Sequence, residues 1–140
     1  MKTKIYIAGK ISKEIQARGY IYCYNKFQAI ERSIAKEFPD AIIFNPMKFC
    51  KTNWSWIRCM ILCGFILVFR CRKVYFNWDW PDSKGARIEN FLARLTRKKI
   101  FYVIMDNSDM LYLKPMVRVK NLRKLNIYER DKSHKYGATL

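Results

Sequence analysis

The chain predicts an α/β domain in which a parallel sheet of four to five strands is covered by helices on both faces. Two observations carry that expectation. Strand-like and helix-like segments alternate along the chain, and the strand segments, KIYIA, AIIF, VYFN and KIFYVIM, are almost uninterrupted apolar runs. A strand that is apolar on both sides has to be buried on both sides, which in an alternating chain means helices above and below a parallel sheet. At 140 residues there is material for one core and not for two.

Taken in order, Lys4–Ala8 is a β-branched and aromatic run ended by Gly9, where the missing side chain allows close backbone approach or a positive φ. Residues 10–20 carry mixed charge and Gly19, and read as loop with room for a helical turn. From Tyr22 to Phe38, apolar residues recur at Phe27, Ile30, Ile34, Ala35 and Phe38, an amphipathic helix stopped by Pro39. Ala41–Phe44 is the second strand, closed by Asn45 and Pro46. Trp54–Phe69 is a second helix, expected to be mostly buried. Its apolar stretch from Cys59 to Phe69 would rise only about 16 Å, roughly half a bilayer's hydrocarbon thickness, so a core helix is expected and not a membrane span.

Val74–Asn77 is the third strand. Trp78, Asp79, Trp80, Pro81 and Asp82 then form a tight loop, and a helix follows, capped by Asp82 or Ser83 and ending near Thr96. Lys99–Met105 is the fourth strand. Met110–Val119 reads as a fifth strand or an edge hairpin, because Pro115 is unsuited to a central strand. From Lys120 the chain is a basic tail, flexible or partly helical.

Composition narrows the partners. Half the residues are apolar and 16% are aromatic, which excludes disorder as the default. A net charge of +17 favours anionic partners, whether nucleotides, nucleic acid bound through a basic surface or an acidic membrane surface, without choosing among them. The five cysteines are an odd number and no signal peptide precedes the first strand, so reduced thiols in the cytoplasm are expected. No CxxC pair is present and the one histidine, His134, lies in the tail; neither a metal nor a cofactor is expected.

A strand, a loop and a helix start in succession make the geometry in which open α/β sheets bind ligands at the carboxyl ends of their strands. Tyr6, Gly9, Asn45, the Trp78–Ser83 loop and Glu89 should converge there. Ala86, Glu89 and Ala93 share one helical face with Gly85 and Leu92. Glu89 is open to two readings, a solvated or ion-paired carboxylate, or a nucleophile or base tuned by partial burial. The backbone N–H groups of Lys84, Gly85 and Ala86, with the Ser83 hydroxyl and the Lys84 ammonium, form a candidate phosphate cradle, although Ser-x-Gly is also common in turns that bind nothing. Trp78 and Trp80 can stack a planar base or cap the edge of the core.

Four segments, in this order, are IYIAG near the start, FNP after the second strand, Trp54 with Met60 and Cys63 in the second helix, and W-x-x-S-K-G-A-R-I-E after the third strand. Together they resemble the nucleoside 2-deoxyribosyltransferase-like superfamily over about residues 4 to 104. The resemblance implies a doubly wound, flavodoxin-like sheet in a domain spanning 1–106, with 107–140 an added strand and tail. It implies an N-glycosidase or deoxyribosyltransferase in which Glu89 attacks the anomeric carbon and Tyr6 orients it. Ser83 falls where relatives acting on nucleoside 5′-monophosphates contact the phosphate. A homo-oligomer is implied as well. Two positions depart from the family pattern. Lys10 stands where proline is frequent, and Arg72 replaces an aspartate that helps the base depart, a task for which Asp79 or Asp82 is the remaining candidate.

Overall fold

The computed structural model of the chain describes residues 2–51, 53–105 and 111–115. Its strands are β1 (Lys4–Ala8), β2 (Ile42–Phe44), β3 (Lys73–Phe76), β4 (Lys99–Met105) and β5 (Leu111–Pro115). The helices are α1 (Ser12–Arg18), α2 (Tyr20–Glu37), α3 (Pro46–Phe49), α4 (Trp56–Arg70) and α5 (Lys84–Leu95), with a 3-10 turn over Trp80–Asp82. The sheet runs β2-β1-β3-β4-β5. Its first four strands are parallel and β5 is antiparallel to β4. This is the flavodoxin-like strand order, with the chain reversing direction between β2 and β3 beside β1, so a crevice forms at the carboxyl edge.

The alternation of β1 explains why helices cover both faces. Ile5 and Ile7 pack with Phe27, Ile30 and Ile34 of α2, whereas Tyr6 and Ala8 pack with Cys63 and Leu67 of α4 and Ala93 of α5. Gly9 ends β1 without a positive φ. A methyl group there would sit 2.8 Å from the Asn77 Cβ, so close approach between the β1 and β3 exits is what the glycine provides.

Several boundaries differ from the sequence reading. Residues 12–18 form a full helix, separated from α2 by Gly19 at φ 91°, so the mixed-charge stretch, read as loop with room for one helical turn, is helical on both sides of one glycine. Pro115 does sit in an edge strand, opposite Phe101 of β4. Helix α4 is less buried than its composition suggests. Ile57, Ile61, Phe65 and Phe69, spaced by four, are all exposed, Ile61 to 69%, and Phe91 and Leu95 of α5 are exposed too. No helix among the described residues is long and apolar enough to cross a membrane. The basic tail from Lys120 and His134 lie outside the described residues.

Candidate active site

The sheet's carboxyl edge opens into a cavity of about 660 Å³. Gly9 comes from the end of β1, Pro46 and Met47 from α3, and Ser83, Lys84, Gly85, Ala86 and Glu89 from the start of α5. Trp54, Trp56, Cys59, Met60 and Cys63 supply another wall from α4 and its approach. The local sequence dictates how α5 meets the cavity. The Ser83 hydroxyl accepts the backbone N–H of Ala86 at 3.2 Å and so caps the helix. Lys84 and Gly85 are the first two residues of α5, and their N–H groups have no partner one turn earlier in the helix. Gly85 packs so tightly that a Cβ would lie 2.9 Å from the Met60 sulfur.

Glu89 is the chemical centre of this arrangement. It lines the cavity yet is only 6% exposed, and the Tyr6 hydroxyl donates to its Oε1 at 3.0 Å. Burial pushes the Glu89 carboxyl up to about 8, against the opposing effect of the Tyr6 hydrogen bond. The Tyr6 phenol is held well above its ordinary value, by burial first and then by the neighbouring carboxylate. It therefore stays a donor. Cys63 beside them is pushed up to about 12, again mainly by burial, which keeps it a protonated thiol at neutral pH.

Tyr6→Phe tests the pair. Loss of a hydrogen bond that favours the ionised form should raise the Glu89 pKa further. The rising limb of any pH–activity profile is then expected to move to higher pH, with activity at pH 7 down about ten-fold. A profile superimposable on that of the unmodified chain would remove Tyr6 from the site's chemistry.

The other residues singled out from the sequence divide. Gly9, Ser83, Lys84, Gly85 and Ala86 line the cavity with Glu89. Asn45 does not. It is buried, and its Oδ1 accepts the Met47 N–H to cap α3, while its Nδ2 has no hydrogen-bond partner among the described residues. Trp78 packs against the α2 side of the core with the Lys26 ammonium 5.1 Å from its ring centroid. Trp80 stacks on Tyr102 and tilts against Phe76. Both tryptophans thus serve the core edge.

Asp79 forms an ion pair with Lys26, which also approaches Glu14 at 3.7 Å, and accepts the Lys10 N–H at 3.4 Å. Asp82 is exposed, and its backbone carbonyl accepts from the Lys13 ammonium at 3.1 Å. Neither aspartate is among the residues lining the cavity. Arg72 also has a different meaning from the one the family pattern gives it. It is exposed just before β3, at the sheet's amino edge, while the cavity lies past the carboxyl edge. Four strand residues at roughly 3.3 Å each separate the two edges, so a side chain at position 72 faces away from this chemistry.

Sequence reasoning missed Trp54, Trp56, Met60 and Tyr20 as cavity residues, together with Lys13 and Lys51. Trp54, Met60 and Cys63 were visible as spaced positions in one resembling segment, but an apolar helix conceals which of its faces is left uncovered. The free-thiol expectation needs correction. Cys50 follows α3 and Cys59 lies one turn into α4, and with Cα atoms 5.8 Å apart they are joined in a disulfide. Cys23, Cys63 and Cys71 are free.

Fold and site together define a flavodoxin-order α/β protein with a protonatable carboxylate at the floor of a mainly apolar cavity. The chain belongs to the DUF4406 family, a domain of unknown function whose model matches residues 3–102, nearly the whole sheet and every cavity-lining element. Comparison with curated proteins returned no match.

Proposed function

We propose that the chain is a nucleotide or deoxynucleoside N-glycosidase or 2-deoxyribosyltransferase with Glu89 as its nucleophile. The observation that carries this reading is Glu89 lining a cavity of nucleotide size, with the buried Tyr6 hydroxyl donating to it from behind. In the ionised form, Glu89 attacks the anomeric carbon as the bond to the base breaks, and the base leaves with the electron pair of that bond. Water or a second base then releases the sugar from the carboxylate ester. The transition state is oxocarbenium-like, and a nearby carboxylate in an apolar setting stabilises it more strongly than it would in water. Trp54, Trp56 and Tyr20 offer aromatic faces to the base. Ser83, the Lys84 ammonium and the N-terminus of α5 suit a 5′-phosphate, with Lys13 and Lys51 adding positive charge around the cavity. The resemblance of the SKGAxxE segment to the deoxyribosyltransferase superfamily points the same way.

A screen of deoxynucleosides and their 5′-monophosphates for free base, read by chromatography, tests the proposal, with a monophosphate expected to be the better substrate. The cavity without base release, but with thermal stabilisation by nucleotides, would instead mark a nucleotide-sensing module. Neither aspartate of the β3 loop reaches the cavity to protonate a leaving base, and this favours the sensor as the second reading. The +17 charge leaves nucleic acid as a third partner class, recognised by steep salt dependence.

The exposed stripe on α4, continued by Phe91 and Leu95 of α5, supports a homo-oligomer. Phe65→Glu, in the middle of that stripe, is expected to shift the sedimentation profile to monomer. An unchanged profile would remove this face from any assembly.

A further inference from the structure

One wall of the cavity gathers three sulfurs from the α3–α4 segment. Cys50 comes from the end of α3, Cys59 and Cys63 from successive turns of α4, and their sulfur atoms all lie within 4.8 Å of one another. Cys63 Sγ is 3.7 Å from Cys50 Sγ and 3.8 Å from Cys59 Sγ. A tetrahedral zinc ion with Zn–S bonds of about 2.3 Å holds its sulfurs about 3.8 Å apart, so two of the three edges already have the required length. The third edge is the Cys50–Cys59 disulfide.

We propose that Cys50, Cys59 and Cys63 form a redox-dependent binding site for a thiophilic divalent cation of the Zn²⁺ class, with its fourth position open to the cavity. The disulfide is the closed form of this site. A dithiol or phosphine reductant delivers two electrons and, with two protons, converts the bond into two thiols. The cation then displaces three protons as three thiolates bind it. Its charge compensates in place the negative charge that a buried wall otherwise excludes. Separation of the Cys50 and Cys59 sulfurs needs only side-chain rotation, because the helix turn that presents Cys59 and Cys63 on one face is already formed. All three residues line the cavity, so the fourth coordination position faces the space a small molecule would occupy. The site does not depend on the glycosidase reading, since no part of it uses the chemistry of Glu89.

Cobalt(II) titration of the phosphine-reduced, metal-stripped full chain tests it. One equivalent should bind with a thiolate-to-cobalt charge-transfer band, and Zn²⁺ should displace it. The band should be absent from the chain with the Cys50–Cys59 bond closed. Cys50→Ser and Cys63→Ser should each weaken binding by about ten-fold or more, whereas Cys23→Ala, on the other side of the sheet, should leave it unchanged. If Cys63→Ser fails to fold, Cys50→Ser on its own decides, because Cys50 lies past the end of α3 and outside any helix. No band in the reduced chain, or a band that survives the Cys50 replacement, overturns the site.

Discussion

Glu89→Ala is expected to abolish base release from the preferred deoxynucleotide, lowering kcat by at least about 10³-fold while the chain stays folded. The size of the effect follows from what the carboxylate would do: the first bond to the sugar forms on it, and no other carboxylate is among the residues lining the cavity. The fold should survive because, among the described residues, the side chain has no ion-pair partner; its hydrogen bond is to Tyr6, and truncation enlarges an existing cavity at a helix position where alanine is well suited. Single-turnover chromatography of free base, with circular dichroism as the folding control, reads both parts. Turnover by the alanine variant at the unmodified rate would end the assignment.

The second large effect concerns pH. With the Glu89 pKa near 8, about a tenth of the chains carry the ionised nucleophile at pH 7, so turnover should climb nearly ten-fold per unit below that value and level off above it. The same displacement has a stability consequence of fixed sign. The unfolded carboxyl titrates near its ordinary 4.5 and the folded one near 8. Between those values the folded state holds a proton that the unfolded state has lost, so stability declines as pH rises across that window and the contribution is constant above it. Glu89→Gln is neutral in both states and should remove the decline, which makes it more stable than the unmodified chain at pH 8 by on the order of 2–4 kcal/mol. Urea unfolding of the two chains at pH 5 and pH 8 measures this. Parallel curves at both pH values would mean that the carboxyl is not buried as described.

These expectations show what a sequence can and cannot disclose here. The strands were legible because burial on both faces makes them apolar throughout, and Lys4–Ala8 and Lys99–Met105 are strands over their full predicted lengths. Glu89 was legible because Gly85, Ala86 and Ala93 are small residues on its helical face, where α5 presses on the sheet. The roles of the β3 loop were not. Trp78, Asp79 and Trp80 are polar-edged or aromatic in a loop beside a crevice, but their partners Lys26 and Tyr102 lie far along the chain, and only the tertiary fold turns them inward. Helix α1 was hidden by its charges, because Glu14 is buried by contacts with Lys10, Arg18 and Lys26 and not by any apolar pattern. Cys50 and Cys59 read as reduced thiols, since nothing in nine residues of spacing reveals that a short helix folds one back onto the other.

The cavity divides by origin. The Tyr6–Glu89 pair sits on β1 and α5, while Trp54, Trp56, Met60 and the clustered cysteines all belong to residues 50–63, and Ile11, Ser12, Lys13, Ile15 and Tyr20 line a further part. Most of its aromatic and sulfur-bearing lining therefore comes from one run of fourteen consecutive positions, separate along the chain from Tyr6 and Glu89. On the proposed reading, exchanging that run between two members of the family should change which ligand is preferred while leaving the Tyr6–Glu89 hydrogen bond in place.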